Sequence, residues 1–204
     1  MMKEQSKIII SDNTDLPFSI FKKLYYDAIQ KDQPNADAMA ISTSNNNNVV
    51  SSRFVNLKYI VNNELIFFTN YNSPKFTDIK FNPNVSCLIY WQNTNVQIRI
   101  CGKADASSNK ISDKHFDDRE YSKNVAAISS NQSKTIESYE RLMSIYEENL
   151  KKYSNALPKR PNNWGGVSIK PSYFEFWYGS NVRLNKRECF CKVNDLWQKS
   201  ILQP

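Results

Sequence analysis

Glycine is scarce in this sequence, with only four glycines among 204 residues. Loops that bind phosphate through the backbone, such as the Walker loop and the G-x-G-x-x-G turn, need closely spaced glycines, and neither motif occurs here. A phosphorylated ligand would therefore have to be held by charged side chains. The candidate cations are Arg53, Lys58, Lys75, Arg119, Arg183 and Arg187.

Histidine and cysteine are also rare, with one histidine, His115, and four cysteines. A Ser-His-Asp triad would depend on His115 alone, and no serine stands in the Gly-flanked turn of the hydrolases. The only close cysteine pair, Cys189 and Cys191, has C-x-C spacing, which is not a zinc pattern. The sequence therefore predicts reduced thiols and no metal site. Any chemistry is expected to come from a bound organic cofactor.

Long apolar runs are absent as well. A helix that spans a bilayer needs about 20 apolar residues, whereas the N-terminal stretch MMKEQSKIIISDNTD has only three in succession. We therefore expect a soluble, cytoplasmic protein with no membrane partner. The formal charge of +7 is compatible with an acidic ligand or with nucleic acid, and it is the only feature that favours nucleic acid. Because the basic residues are scattered, we expect no nucleic-acid partner.

What the sequence does contain is the alternation of β-branched and aromatic residues that is typical of strands. Sequential strands with few helical crossovers predict a mainly β fold, an antiparallel barrel with helices packed outside. The predicted strands are two or three between residues 38 and 70, then VSCLIYWQ, VQIRICGKADA, VSIKPSYFEFWYG, the stretch that follows it and DLWQKSILQP.

Helical periodicity and polar composition complete this outline. Helices are predicted from Asp15 onward, over KFTDIKFNP, over 110–118 and over 135–153. The last of these carries an apolar stripe that is expected to face the core. Residues 1–14 are predicted to form a mobile polar arm, and residues 15–204 a single domain.

The stretch FWYGSNVRLNKRECF, residues 176–190, is predicted to turn and to return as a strand. Side chains alternate between the two faces of an extended chain, so Arg183, Asn185 and Arg187 are expected on one face. Two guanidinium groups on one face are typical of a site that binds an anion.

A series of short motifs runs in order from about Pro17 to Pro204. The motifs are RFVNLK, FFTNYNSPK, NPNVSCLIYW, VQIRICGKA, NQS at 131–133, WGG at 164–166, FEFWYGSNVRLNKR and the terminal Leu-x-Pro. Together they resemble the pyridoxine (pyridoxamine) 5′-phosphate oxidases. The resemblance implies a dimeric split β-barrel that binds flavin mononucleotide (FMN) at the dimer interface. It also implies oxidation of pyridoxine or pyridoxamine 5′-phosphate to pyridoxal 5′-phosphate, with O₂ as acceptor and H₂O₂ as product.

Matched position by position, the resemblance implies three groups of site residues. The FMN contacts are Arg53, Phe68, Thr69, Lys75, Gln97, Gln132, Ser133, Trp177 and Arg187. The contacts to the phosphorylated pyridine are Lys58, His115, Arg119, Lys123 and Arg183. The residues assigned to catalysis are Arg183 and Asn185.

The sequence departs from the family pattern at five positions, which are Pro74, His115, Lys123, Asn185 and Ile201. Pro74 replaces an arginine that helps to hold the flavin phosphate, so we expect weaker flavin binding. His115 and Lys123 replace a tyrosine and a serine, and both still donate hydrogen bonds to phosphate. Asn185 replaces a histidine beside the substrate and cannot titrate near neutral pH. Ile201 replaces an arginine near the C-terminus.

These departures leave other readings open. One is a related split-barrel flavoenzyme that acts on a different ring compound, as in phenazine biosynthesis, and another is a non-catalytic FMN-binding protein. Individual residues also have ordinary explanations outside the resemblance. Trp177 fits a core aromatic residue, Gln97 a solvated strand residue and Arg119 a local salt bridge.

Overall fold

The computed structural model describes residues 7–11, 15–154, 156 and 158–204. The strands are β1 (Ile9–Ile10), β2 (Ala38–Ser44), β3 (Val50–Val61), β4 (Glu64–Asn70), β5 (Asn84–Trp91), β6 (Val96–Ala106), β7 (Trp164–Tyr178), β8 (Lys186–Val193) and β9 (Leu196–Leu202). The helices are α1 (Leu16–Gln30), α2 (Pro74–Phe81), α3 (Asn109–Asp118), α4 (Tyr121–Ser129) and α5 (Tyr139–Lys152).

Six antiparallel strands close into a barrel in the order β3, β2, β5, β6, β7 and β4, because β4 also pairs with β3. The long strand β7 pairs with β6 along one edge, and two different strands share its other edge. Its first half pairs with β4, while Tyr173 to Tyr178 pair with β8. β8 and β9 therefore form a ribbon that extends from the barrel wall. The predicted antiparallel split barrel with flanking helices is confirmed.

Strict alternation of side chains explains the core. Along β5, Val85, Cys87, Ile89 and Trp91 are buried, while the intervening residues are exposed. Helix α1 begins after Asp15 with Pro17 in its first turn and buries an aromatic stripe against this interior. Burying an aromatic side chain of this size stabilises the fold by about 1.5–3 kcal/mol.

The N-terminal segment differs from the mobile arm that the sequence predicts. Ile9 and Ile10 pair parallel with Tyr59 and Ile60 of β3. Ile8 is buried, and its N–H donates a hydrogen bond to the hydroxyl of Tyr25 at 2.9 Å. Three consecutive isoleucines give this short segment enough apolar surface to pack on the sheet. The rest of the predicted arm, residues 1–6 and 12–14, lies outside the described residues.

The predicted core-facing stripe on the last helix is wrong. Helix α5 begins at Tyr139 rather than at 135, and none of its described side chains is buried. Met143 is 36% exposed and Tyr139 is 69% exposed. The helix packs on α4, which periodicity did not predict, and the Tyr121 hydroxyl of α4 donates to the carbonyl of Leu150 at 2.8 Å. The helical spacing identified the apolar face of α5 correctly, but it did not show which element that face contacts.

The predicted strand through Arg183 is also wrong. β7 ends at Tyr178 and β8 begins at Lys186, and the residues between them form a turn. Arg183 has a φ of 63° in the left-handed region, and its N–H donates to the carbonyl of Ser180 at 3.0 Å. Arg183, Asn185 and Arg187 therefore do not share one strand face.

No described helix is long and apolar enough to cross a membrane. Within the described ranges, no cluster of histidine, cysteine and acidic side chains is arranged to hold a metal ion. Cys189 and Cys191 lie on the same face of β8 with their sulfur atoms 3.6 Å apart, and both are free thiols.

Candidate functional site

A cleft of about 650 Å³ lies between strands β3 and β4 of the barrel and helices α3 and α4. Seven residues predicted for the site line it, which are Lys58, Phe68, Thr69, His115, Arg119, Lys123 and Gln132. Residues that sequence reasoning did not single out complete the wall, and they are Lys7, Asn56, Asn70, Asp118, Glu120, Ala126, Ala127, Ser130 and Trp164.

A β-bulge brings Lys58 into this wall. The pairing of β3 with β4 shifts by one residue between Leu57 and Tyr59. Leu57 and Ile60 are therefore both fully buried, while the two residues between them, Lys58 and Tyr59, are only partly buried. Simple alternation places Tyr59 on the same face as Leu57, so the bulge was not apparent from the sequence. The ammonium group of Lys58 contacts the carboxylate of Asp37 at 2.8 Å.

A glycine pair fixes the opposite wall, because β7 must approach its neighbours closely at this point. A Cβ atom on Gly165 would collide with the hydroxyl of Tyr71. That hydroxyl donates to the carbonyl of Gly166 at 3.0 Å. The WGG motif thereby places Trp164 beside Phe68, with ring centroids 5.4 Å apart and nearly parallel planes.

Arg119 lies over this aromatic wall. Its guanidinium carbon is 4.7 Å from the ring centroid of Trp164, a cation–π distance. Burial lowers the pKa of Arg119, and the nearby Glu120 opposes this effect. Its Nη1 atom is buried without a hydrogen-bond partner among the described residues. An unmatched buried donor is costly, so an acceptor supplied by a ligand would be stabilised here.

His115 stacks on Phe68, with ring centroids 3.7 Å apart and an interplanar angle of 10°. Its Nδ1 atom lies 2.9 Å from the hydroxyl oxygen of Tyr59. Burial lowers the pKa of His115 to about 3, with further lowering from the charges of Arg119 and Lys58. The imidazole is therefore neutral near pH 7 and offers one N–H donor.

Lys75, a predicted FMN contact, lies beside the cleft in a buried polar pocket. Its side-chain nitrogen donates to Thr69 Oγ1 at 3.1 Å, Ser73 Oγ at 3.2 Å and Gln132 Oε1 at 3.0 Å. These acceptors are all neutral, and no carboxylate lies within salt-bridge distance in the part of the chain that the structure describes. Burial lowers the pKa of Lys75 from its usual 10.5 to about 8, and the positive charge of Arg53 adds to this effect.

Arg53 completes this pocket from β3. Its Nη1 donates to Thr43 Oγ1 at 2.7 Å, and the Thr43 hydroxyl in turn donates to Asp78 at 2.6 Å. Pro74 occupies the first helical position of α2, where a backbone N–H has no intrahelical partner, so the proline does not disturb the helix. Ser133 follows Gln132 with a left-handed φ of 68° and does not line the cleft.

Three predicted FMN contacts lie elsewhere, on the outer face of the barrel. Gln97 pairs with Trp177 and Trp177 pairs with Arg187 across β6, β7 and β8, so their side chains share one face. Their neighbours Ile98 and Phe176 are fully buried, which shows that this shared face points away from the interior. One chain does not bring these three residues to the cleft.

Arg187 already has an internal counter-ion. Its Nε donates to the buried carboxylate of Glu175 at 2.8 Å, and its Nη1 donates to the carbonyl of Gln203 at 2.7 Å. Arg99 and Tyr173 also donate to Glu175, at 2.7 and 2.8 Å. Arg187 is therefore paired directly with a carboxylate, whereas Lys75 donates only to neutral oxygen atoms.

The two residues assigned to catalysis, Arg183 and Asn185, lie in the turn between β7 and β8 and do not line the cleft. Arg183 is exposed, and Asn185 Oδ1 accepts a hydrogen bond from the N–H of Ser180 at 3.0 Å. The side chains of Val182 and Leu184 in the same turn are each 74% exposed. The turn therefore presents both polar and apolar groups away from the chain that carries it.

Comparison with known proteins identifies the family. Residues 26–159 match the family model of pyridoxamine 5′-phosphate oxidase, and residues 164–204 match the model of the pyridoxine 5′-phosphate oxidase C-terminal dimerisation region. A pyridoxine/pyridoxamine 5′-phosphate oxidase from Trichormus variabilis is 36% identical over 189 residues, which cover 92% of this chain and 88% of that protein.

Two solved structures resemble this fold. The structure of PhzG from Burkholderia lata in complex with tetrahydrophenazine-1-carboxylic acid aligns with a TM-score of 0.89 and 26% identity, covering 95% of each chain. A pyridoxamine 5′-phosphate oxidase-related, FMN-binding protein from Nostoc punctiforme aligns with a TM-score of 0.74 over 90% of this chain and 97% of that chain. Its identity is only 14%, so this second likeness concerns the fold alone.

Proposed function

Because the chain belongs to the pyridoxine/pyridoxamine 5′-phosphate oxidases, a family of oxidoreductases, we propose that it oxidises these phosphates to pyridoxal 5′-phosphate with FMN as cofactor. When bound, FMN would supply a two-electron acceptor for the hydride lost from C4′, with O₂ as the final acceptor to give H₂O₂, and with the amine substrate water would complete the aldehyde and release ammonia. The protein's own part is to bind, to orient and to exclude water.

The observation that carries this proposal is the buried ammonium group of Lys75. It donates only to neutral oxygen atoms within the described residues, and the guanidinium of Arg53 lies near enough to lower its pKa. Asp78, reached through Thr43, offsets part of the charge of Arg53, but Lys75 has no carboxylate partner among the described residues, and a buried cation of this kind is favoured by an added anion. The phosphate of FMN, which carries about two negative charges, fits this donor set.

The substrate's phosphate would bind in the adjoining cleft. Arg119 offers its unmatched Nη1, and Lys123 lines the same cleft from α4. Lys58, which contacts Asp37 at 2.8 Å, adds a third positive charge to the wall of the cleft. Each charge-assisted hydrogen bond of this kind contributes roughly 1.5–3 kcal/mol. His115 would add one neutral donor.

The site needs a second copy of the chain, because Gln97, Trp177 and Arg187 lie on the outer face of the barrel. The same face carries exposed apolar side chains. Phe54 is 75% exposed and Tyr90 is 53% exposed, and Tyr90 pairs directly with Gln97. A homodimer formed through this face would cover the apolar groups and bring the outer residues to the partner's cleft.

Arg183 and Asn185 would reach the substrate in the same way, from the exposed turn of the partner subunit. Arg183 then covers the ring of the substrate, and Asn185 donates or accepts a hydrogen bond beside it. The matched dimerisation region, residues 164–204, includes this turn. The support for this arrangement is the position of the turn outside the cleft of its own chain.

A second candidate function is oxidation of a different ring compound. It is favoured by the similarity to PhzG, whose structure holds tetrahydrophenazine-1-carboxylic acid. The departures at His115, Lys123 and Asn185 all fall among the residues assigned to the substrate. The third reading, a non-catalytic FMN-binding protein, has only the fold of the Nostoc relative in its favour.

Anaerobic stopped-flow absorbance separates these candidates. The FMN-loaded protein is mixed with pyridoxine 5′-phosphate, pyridoxamine 5′-phosphate, unphosphorylated pyridoxine, or a reduced phenazine carboxylic acid. We expect the two phosphates to bleach the flavin and unphosphorylated pyridoxine to do so at least tenfold more slowly at equal concentration. Bleaching by the phenazine compound alone would overturn the vitamin B6 proposal, and no bleaching by any compound would favour the non-catalytic reading.

A further inference from the structure

The only histidine of the chain, His115, is held in place by aromatic contacts on one face and one edge. Phe68 stacks on its ring at 3.7 Å, and the ring of Tyr59 meets it edge-on, with centroids 5.4 Å apart at 83°. Tyr59 also packs edge-on against Phe68, with centroids 5.9 Å apart. The rings of Phe68 and Tyr59 therefore restrict rotation of the imidazole.

The hydroxyl of Tyr59 approaches only one of the two ring nitrogens, Nδ1, at 2.9 Å. His115 lines the cleft, whereas Tyr59 does not. The other nitrogen, Nε2, has no hydrogen-bond partner among the described residues, and it is not fully enclosed. The nitrogen that remains available to a ligand is therefore Nε2.

We propose that Tyr59 is a positioning residue for the substrate's phosphate, because its hydroxyl donates to Nδ1 of His115 and so keeps the single imidazole proton on Nε2. The inference rests on the proposed function for the identity of the ligand. The contact between Tyr59 and His115 does not depend on which ligand binds.

The direction of this hydrogen bond decides what His115 offers to a ligand. A neutral imidazole has one N–H donor and one acceptor nitrogen. If Nδ1 accepts from Tyr59, Nε2 carries the proton and donates to a phosphate oxygen. If the proton moves to Nδ1, Nε2 presents a lone pair that repels the same oxygen. A phenol is a good donor to imidazole, and Tyr59 has no other hydrogen-bond partner in the described ranges.

The charges around the ring favour its neutral form. Arg119 and Lys58 lie close enough to lower its pKa, after the larger effect of burial, to about 3. Lys123 lines the same cleft, and Asp118 and Glu120 are the carboxylates among the lining residues. His115 cannot gain a second donor by protonation near pH 7, so the location of its one proton matters.

Nuclear magnetic resonance tests the position of the proton directly. Because His115 is the only histidine, a long-range proton–nitrogen spectrum of ¹⁵N-histidine-labelled protein contains a single imidazole. We expect a protonated Nε2 and an unprotonated Nδ1 at pH 7 in the FMN-loaded protein. In Tyr59→Phe, we expect the nitrogen shifts to move toward a mixture of the two tautomers. Tyr26→Phe, at an exposed tyrosine of α1, is the matched control and leaves the spectrum unchanged.

Binding measurements test the consequence. Calorimetry is done under anaerobic conditions on the protein with its FMN reduced beforehand, so that no probe can react, and it compares pyridoxine 5′-phosphate, inorganic phosphate and unphosphorylated pyridoxine. Tyr59→Phe is expected to weaken the two phosphate-bearing probes by about three- to tenfold, the effect of one misdirected hydrogen bond, and to leave pyridoxine unchanged. In a His115→Phe background, Tyr59→Phe is expected to cause no further loss, because Tyr59 acts only through His115.

The outcomes separate this inference from the proposed function. A proton on Nδ1 of the parent protein, or equal loss for phosphorylated and unphosphorylated probes, would overturn the role of Tyr59. Additive losses in the double variant would overturn it as well. If Nε2 carries the proton and inorganic phosphate binding depends on Tyr59 while pyridoxine 5′-phosphate never reduces the flavin, the inference stands and only the proposed substrate falls.

Discussion

Replacement of Lys75 by methionine is expected to have opposite effects on the stability of the flavin-free protein and on FMN binding. Methionine keeps most of the volume of the lysine stem and removes the charge. The pKa of Lys75 is lowered from 10.5 to about 8, and this difference corresponds to roughly 3 kcal/mol against the charged form in the folded protein. Lys75 is only 8% exposed, so solvent screens this cost weakly.

The expected gain in stability is smaller than this upper value. Methionine leaves three oxygen atoms without their lysine donor, although Thr69 still donates to Gln132 at 2.9 Å. Each such lost hydrogen bond costs about 0.5–1.5 kcal/mol. We therefore expect the flavin-free Lys75→Met protein to equal or exceed the parent in free energy of unfolding at pH 7, by up to about 2 kcal/mol.

The pH dependence gives the sign of the effect. Below about pH 8 Lys75 is charged in both the folded and the unfolded chain, so the full cost of its burial is present. Between about pH 8 and 10.5 the unfolded chain binds more protons at this residue, so the stability contributed by Lys75 rises with pH. The advantage of Lys75→Met over the parent is therefore expected to shrink across this window.

FMN binding is expected to move in the other direction. Loss of one cation from the phosphate site costs about 1.5–3 kcal/mol of binding free energy, which raises the dissociation constant of FMN roughly ten- to a hundredfold. Urea unfolding at pH 7 and 10 and quenching of flavin fluorescence measure the two effects. Lys80→Met is the matched control, because Lys80 is an exposed lysine on the same helix. A Lys75→Met protein that binds FMN like the parent would refute the assignment of the phosphate site.

Three further predictions concern the other parts of the site. Pro74→Arg is expected to tighten FMN binding by about tenfold in a fluorescence titration, because it adds a cation beside Lys75; unchanged affinity would place the phosphate elsewhere. Phe54→Glu is expected to weaken dimer formation by at least about tenfold in light scattering and to reduce FMN retention with it. Phe81→Glu, at another exposed phenylalanine, should do neither, and a monomer that retains FMN would contradict the shared site. Arg183→Ala is expected to slow flavin reduction by roughly ten- to a hundredfold while substrate binding changes less. If the reduction rate in stopped-flow and the substrate affinity in calorimetry fall by the same factor, Arg183 only binds the substrate.

Much of the candidate cleft was identified from matched motifs, since Lys58, Arg119 and Gln132 all line it. Tyr59 was not predicted as a site residue, because a β-bulge breaks the alternation on which strand patterns depend. Ser73 was not predicted either, although it is one of the three acceptors that bind the ammonium group of Lys75. A serine before a proline at the start of a helix is a common cap, and nothing in its local sequence marks it as part of a charged pocket.

The sequence by itself determined most of the strands, the barrel class and the family, because side-chain alternation and short motifs can be read directly along the chain. Only the tertiary structure decided which surfaces meet. It kept Gln97 away from the cleft of its own chain, enclosed Lys75 in a buried pocket, and bent the segment around Arg183 into a turn. The physical reason is that periodicity records which side of an element is apolar, whereas the neighbour that covers that side depends on contacts between residues far apart in the chain. The apolar stripe of α5, which packs on α4 and has no fully buried residue, shows the same limit.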